Sequence, residues 1–113
     1  MFLPFLQAKI SHLVVTDKSL EYEGSLGVPR SVMDRAGLTQ GQVVLVVDLA
    51  NGERFETYLI EESEGKCSLR GGAARMGEVG DNLIVMSFVY LDPGEKISPR
   101  IINVNEANHL LES

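Results

Sequence analysis

The chain has 113 residues, of which 44% are hydrophobic and 23% are charged, and its formal net charge is −6. This length predicts a single domain, residues 1–113, and the negative charge argues against non-specific nucleic-acid binding. No stretch approaches the ~18 consecutive apolar residues of a membrane span, and the apolar start from Met1 to Leu6 lacks the basic segment of a signal peptide. The single cysteine, Cys67, excludes an intramolecular disulfide, so a reducing cytoplasm is the expected location.

Short runs of Val, Leu and Ile, separated by Gly, Asn and Asp, predict a mainly β domain with little helix. The best helix candidate begins at Pro29, which suits a first turn, and ends at Gly37, which suits the position after the last turn. Six or so short strands favour a closed barrel, because closure removes unpaired strand edges. In chain order the sequence predicts a strand at 6–15, a turn at 16–19, a short extended stretch up to residue 24 and the helix at 29–37. Strands at 42–49 and 53–60 follow, joined by an Asn51-Gly52 turn. Further strands are predicted at 67–69, 82–91 and 100–104, and a final helical turn at 106–111.

Three parts of the sequence carry a resemblance to a known family. They are Lys9, the segment Tyr22-Glu23-Gly24-Ser25-Leu26, and the run from Asn51 to Tyr58. Over roughly residues 6–91 the chain resembles the pyruvoyl-dependent aspartate 1-decarboxylases. The resemblance implies a six-stranded double-psi β-barrel with one or two short helices, assembled as a homotetramer with active sites between subunits. It also implies autocatalytic cleavage after Gly24 into residues 1–24, the β chain, and residues 25–113, the α chain.

The implied activity is the conversion of L-aspartate to β-alanine and carbon dioxide for pantothenate biosynthesis. Attack of the Ser25 hydroxyl on the Gly24 carbonyl gives an ester, β-elimination leaves a dehydroalanine, and hydrolysis with loss of ammonia yields a covalent pyruvoyl group. Gly24 has no Cβ and therefore tolerates unusual backbone angles at the site of attack. The ketone forms a Schiff base with the substrate amine and withdraws electrons as carbon dioxide departs. A turn glycine followed by a solvated serine is the ordinary alternative.

Thr57 and Tyr58 are consecutive in a predicted strand, so a regular strand points them to opposite faces. The resemblance implies that Thr57 donates a hydrogen bond to the Gly24 carbonyl oxygen during self-cleavage, and that Tyr58 protonates the carbanion after decarboxylation. Both residue types are also good strand formers without any catalytic role.

The substrate that the resemblance implies is a dicarboxylate, and cations are needed to hold it. The resemblance assigns Lys9 and Arg54 to its carboxylates, although two solvated surface cations are the alternative reading. A loop of small residues lets a ligand approach backbone N–H groups closely. The resemblance implies that the pocket also contains Tyr22 and the loop of Gly71, Gly72, Ala73 and Ala74.

Two positions depart from the family pattern. Ser11 stands where the family usually has histidine, and His12 follows on the opposite face unless a bulge intervenes, so a surface position is expected for it. Arg70 stands where the family has asparagine, and it could bind a carboxylate, pair with an acidic neighbour or point to solvent. These departures leave L-glutamate or another amino acid as an alternative substrate, and an unprocessed binding module as an alternative function. No metal site is predicted, and the need for a maturation factor is left open.

Overall fold

The computed structural model describes residues 1–21 and 23–111, so Tyr22 lies outside the described residues. All the strands belong to one sheet, in the order β2-β6-β3-β5-β4-β7-β1-β8. Along the chain the elements are β1 (Leu3–Val14), β2 (Asp17–Ser19), β3 (Ser25–Pro29), α1 (Arg30–Ala36), β4 (Val43–Asp48), β5 (Arg54–Glu62), β6 (Ser68–Arg70), a 3₁₀ helix (Gly71–Arg75), β7 (Asn82–Leu91) and β8 (Arg100–Asn103).

The pairing of the strands is mixed. β1 runs antiparallel to β7 and parallel to β8, and β3 runs parallel to β5 and antiparallel to β6. The mainly β fold expected from the sequence is confirmed, and this mixed sheet is consistent with a double-psi β-barrel. The described residues form eight strands rather than six, because β2 and β3 add to the strands that the pattern predicts.

The sequence pattern did not predict these two strands, and the reason differs between them. The segment read as a turn, Thr16 to Ser19, contains the three-residue strand β2, which is stabilised by parallel pairing with the distant β6. All five residues of β3 are buried, so the strand has no alternation of apolar and polar residues, and Gly27 and Pro29 are residues that weaken a strand prediction.

The predicted helix and hairpin are confirmed. Pro29 occupies the N-cap position of α1, and Gly37 ends the helix with a left-handed φ of 74°. The side chains of Val32, Met33 and Ala36 are buried. β4 and β5 pair antiparallel around Gly52, whose φ of 76° favours glycine.

The predicted helical turn at 106–111 is wrong. The side-chain oxygen of Asn105 accepts hydrogen bonds from the backbone N–H groups of Ala107 and His109, which stabilises a turn in place of helix. Asn108 is buried and donates to the Val14 carbonyl, so this segment is tied to the end of β1.

The core is aliphatic, as the composition requires. Its largest fully buried side chains include Ile10 of β1, Leu26 of β3, Val46 of β4, Leu59 of β5 and Val85 of β7. Within residues 1–21 and 23–111, no helix is long and apolar enough to cross a membrane.

Candidate active site

A cleft of about 410 Å³ lies where β3 begins and β5 passes beside it. It contains much of the set that the sequence analysis proposed for catalysis and binding. The residues that line it are Gly24, Phe55, Glu56, Thr57, Tyr58, Gly72, Ala73 and Met76. Cleavage-site, strand and loop residues that are far apart in sequence therefore meet in one cavity.

The Gly24–Ser25 bond lies at the N-terminal end of β3. Ser25 is buried, with 2% of its surface exposed, and its backbone is the antiparallel partner of Arg70. A Cβ atom at Gly24 would lie 3.7 Å from the Gly72 nitrogen and 3.9 Å from the Arg70 carbonyl oxygen. The backbone of the small-residue loop therefore packs against the bond at which cleavage is expected. The Ser25 hydroxyl donates a hydrogen bond to the Glu23 carbonyl oxygen at 3.3 Å.

Thr57 and Tyr58 reach the cleft from β5. The parallel register pairs Leu26 with Leu59, so continuing it by two residues brings Gly24 alongside Thr57. Across the other edge of β5, Thr57 pairs with the buried Val44 and Tyr58 pairs with the exposed Val43. The two side chains therefore belong to opposite faces of the sheet, as a regular strand predicts, and both residues line the cleft.

Lys9 and Arg54 lie outside this cleft. Lys9 of β1 is paired with Met86 of β7, and Arg54 of β5 is paired with Val47 of β4. Two strands, β7 and β4, separate β1 from β5, which places the Lys9 strand roughly 14 Å from the Arg54 strand at ~4.8 Å per strand spacing. The cross-strand registers place both residues on the same outer face of the sheet. Neither cation is among the residues that line the Gly24 cleft.

Arg70 forms an ion pair with Glu62 and does not line the cleft. Its Nη2 donates to Glu62 Oε2, and its Nε donates to Ser68 Oγ at 3.2 Å. Burial alone raises the pKa of Glu62, but the hydrogen bonds from Ser68 and Arg70 and the charge of Arg70 outweigh it, so the pKa lies below its usual value. Of the three roles considered for Arg70, the structure places its side chain beside an acidic neighbour.

The His12 position is altered by a bulge. The register between β1 and β7 shifts between Ser11 and Leu13, and Ser11 is buried whereas His12 is exposed. The expected surface position of His12 is confirmed. His12 lines a separate cavity of about 560 Å³ with Asn82 and Glu106, and none of the residues lining the Gly24 cleft belongs to that cavity.

Three lining residues of the Gly24 cleft were missed by the sequence analysis: Phe55, Glu56 and Met76. Phe55 and Glu56 directly precede Thr57 in the predicted strand, so their position beside Thr57 could have indicated that they line the cleft. Met76 follows the 3₁₀ helix, and only the folded chain brings it to the cleft. Its carbonyl oxygen accepts a hydrogen bond from the Asn51 side chain at 2.9 Å, which ties this segment to the β4–β5 hairpin.

The carboxyl groups of Asp48 and Asp81 lie close together beside Gly77, the residue that follows Met76. Asp48, at the end of β4, is fully buried, and a Cβ at Gly77 would lie 2.5 Å from its Oδ2 and 3.4 Å from Asp81 Oδ2. Burial, the hydrogen bond shared with Asp81 and the charge of Asp81 raise the pKa of Asp48 to about 6. The hydrogen bond from Asp48 and a backbone N–H from Glu78 lower the pKa of Asp81. Below a pH of about 6 the pair therefore retains a proton, and the directions of the two pKa shifts favour Asp48 as its holder.

Comparison with known proteins gives a consistent result. The family model described as "Aspartate decarboxylase" matches residues 1–111. A protein of Thermosipho africanus named aspartate 1-decarboxylase is 42% identical over 109 residues, which cover 95% of this chain and 91% of that protein. Proteins of the same name from Kosmotoga olearia and Campylobacter hominis are 41% and 38% identical, each over 99% of this chain and over 99% and 100% of their own lengths.

Proposed function

The chain belongs to the aspartate decarboxylase family, and on this premise we propose that it converts Ser25 into a pyruvoyl group and decarboxylates L-aspartate to β-alanine. The observation that carries the proposal is the meeting of Gly24, Thr57, Tyr58 and Gly72 in one cleft. The family's established activity is a decarboxylation, and Gly24, Thr57 and Tyr58, three of the residues that the sequence singled out for catalysis, line a common cavity next to Ser25.

Self-cleavage is proposed between Gly24 and Ser25. The Ser25 oxygen bonds to the Gly24 carbonyl carbon, the C–N bond breaks, and the amide nitrogen takes the proton. Elimination then breaks the Ser25 Cβ–O bond and releases a chain that ends at Gly24. Tautomerisation and hydrolysis with loss of ammonia leave the pyruvoyl group at residue 25. The residues present fit this product, because Ser25 is buried beside a cleft that Gly24 lines.

Thr57 is the proposed donor to the Gly24 carbonyl oxygen, where negative charge develops during the attack. The register of β5 supports this role because it brings Thr57 alongside Gly24. A single donor of this type is typically worth about 10²–10³ in rate. The Gly72 nitrogen also lies near the cleavage site, since a Cβ atom at Gly24 would be 3.7 Å from it.

The ketone of the pyruvoyl group supplies an electron sink for the loss of carbon dioxide from a substrate bound through its amine. Tyr58 is the proposed general acid that returns a proton to the substrate carbon, a role worth roughly 10²–10⁴ in rate. The small side chains at Gly72 and Ala73 leave the opposite wall open to a substrate of a few carbon atoms.

L-Aspartate is the proposed substrate, because the relatives that match along nearly their whole lengths are named aspartate 1-decarboxylase. Glutamate was considered because Arg70 could supply a more distant anchor. The ion pair of Arg70 with Glu62 supports aspartate, since it engages that cation with a side chain of the protein. Arg54 is the proposed clamp for the retained carboxylate, and Lys9 and Tyr22 complete the proposed binding set.

A homotetramer with shared sites is proposed, because Lys9 and Arg54 do not line the Gly24 cleft, and the outer face that carries them is open to a second chain. That face is apolar and partly exposed: Val43 is 60% exposed, Phe88 42% and Tyr90 67%. An exposed apolar surface rimmed by charged residues is typical of an interface between chains. Docking of a second copy there would bring its cations near a cleft. A cytoplasmic location remains proposed on the strength of Cys67.

Mass spectrometry of the intact protein tests the proposal. Mature protein should consist of residues 1–24 and a chain from residue 25 that carries a pyruvoyl group, and it should release carbon dioxide from L-aspartate faster than from L-glutamate. A single full-length chain after prolonged incubation would contradict self-processing and support the alternative of a non-catalytic binding module. Efficient turnover of glutamate alone would contradict the substrate assignment.

A further inference from the structure

Strand β3, which carries Ser25, lies between β6 and β5, and side chains of these outer strands join across it. Glu62 Oε2 of β5 accepts hydrogen bonds from Ser68 Oγ at 2.6 Å and from Arg70 Nη2, both of β6. Arg70 Nε donates to Ser68 Oγ at 3.2 Å. The three side chains form a closed ring of hydrogen bonds, which we call the clasp.

Gly27 provides the space through which the clasp passes. A Cβ atom at Gly27 would lie 2.3 Å from Ser68 Oγ and 2.5 Å from Glu62 Cγ, closer than real side-chain contacts allow. Gly27 is absent from the glycines with positive φ, so backbone conformation does not require glycine here. What requires it is the crossing of the clasp over β3.

The clasp lies on the face of the sheet that carries the Ser25 side chain. Arg70 is the register partner of Ser25, Ser68 is that of Gly27, and Glu62 is that of Pro29. Paired residues project to the same face of a sheet. Ser25, Gly27 and Pro29 are two residues apart along β3 and therefore lie on one side of it.

The same two strands also hold both walls of the cleft. β6 leads into Gly72, whose nitrogen packs against Gly24, and β5 carries Thr57. The clasp therefore links the two groups that must be aligned with the scissile bond. Its charges are largely desolvated, with the Glu62 side chain 14% exposed and that of Arg70 27% exposed. Removal of either partner leaves a poorly hydrated charge, which favours rearrangement of the strands.

We infer that Glu62, Ser68 and Arg70 are positioning residues for the self-cleavage, because the clasp ties β5 to β6 across β3, the strand that begins at Ser25. The inference rests on the proposed function and concerns its first step. In that step the Ser25 O–C bond forms, the Gly24–Ser25 C–N bond breaks, and the hydroxyl proton passes to the nitrogen. A misplacement on the order of 1 Å can cost roughly 10²-fold in rate.

The test compares Glu62→Gln with Glu61→Gln, the matched control on the neighbouring residue. Glu61 also forms an ion pair, with Arg30 at 3.1 Å, but it is exposed and no clasp residue is its partner. Appearance of the 25–113 fragment is followed by intact mass at a temperature where circular dichroism shows every variant folded. Glu62→Gln should cleave at least ~10-fold more slowly than wild type, and Glu61→Gln should match wild type.

A second variant and a chemical probe keep the test decisive. Ser68→Ala removes only the bridging hydroxyl and should slow cleavage several-fold even if Glu62→Gln does not fold. Hydroxylamine cleaves an ester once it has formed, so it should not restore the rate if the clasp acts on ester formation. Cleavage of Ser68→Ala or folded Glu62→Gln at the control rate, or rescue of either by hydroxylamine, overturns the inference. Failure of wild type to cleave would instead contradict the proposed function.

Discussion

The proton held between Asp48 and Asp81 predicts a stability that depends on pH in a defined direction. Asp48 has a folded-state pKa of about 6, against an ordinary value of 3.8. Between these values the folded state binds more protons than the unfolded state. The stabilising contribution of this group is therefore fully present below the unfolded pKa and is lost as the pH rises through the folded pKa.

The size of the effect follows from the two pKa values of Asp48. Their separation corresponds to about 3 kcal/mol at ~1.36 kcal/mol per pKa unit. In Asp48→Asn the amide can donate to Asp81 at every pH, as the protonated acid does, and its oxygen can still accept the Ala50 N–H hydrogen bond of 2.9 Å. We therefore expect the variant to resemble wild type near pH 4 and to be more stable by up to about 3 kcal/mol near pH 8.

Urea unfolding of Ser25→Ala protein, with and without Asp48→Asn, measures this difference on an uncleaved chain. Profiles are collected from pH 4 to pH 8, and Asp34→Asn, a change at an exposed carboxylate of α1, serves as the control. The difference between the Asp48 variant and its parent should grow as the pH rises, mainly between pH 4 and pH 6, while the control shows no such trend. A difference that is constant across this range would refute the assignment of the proton to Asp48.

The remaining predictions concern maturation and catalysis. Ser25→Ala should remain one full-length chain by intact mass, and appearance of residues 1–24 from it would contradict attack by this hydroxyl. Thr57→Val should slow self-cleavage by about 10²–10³. Tyr58→Phe should cleave normally but lose roughly 10²–10⁴ in kcat. If both variants cleave and turn over like wild type, the two roles are misassigned. Arg54→Lys should raise KM for aspartate roughly tenfold or more, because lysine keeps the charge but cannot bind a carboxylate bidentately, and an unchanged KM would exclude Arg54 as the clamp.

The sequence by itself determined the features that depend on neighbouring residues. Pro29 and Gly37 bound a helix through their own backbone preferences, and Asn51-Gly52 closes a hairpin whose two strands are adjacent in the chain. Alternation along β5 was enough to place Thr57 and Tyr58 on opposite faces. The combination of Lys9, the segment around Gly24-Ser25 and the run from Asn51 to Tyr58, at fixed spacing, was likewise sufficient to indicate the family, which the comparisons confirm.

The tertiary structure alone decided which distant residues meet. β2 and β3 form because β6 and β5 supply hydrogen-bonding partners across some 30 to 50 residues of chain, and no local pattern encodes such pairing. The pairing of Arg70 with Glu62 depends on Gly27 leaving space between them, a condition set by three strands together. The separation of Lys9 from the Gly24 cleft is likewise a result of strand order, because β4 and β7 lie between β5 and β1. Local propensity is a property of a few consecutive residues, whereas packing across a sheet depends on which strands the whole chain brings side by side.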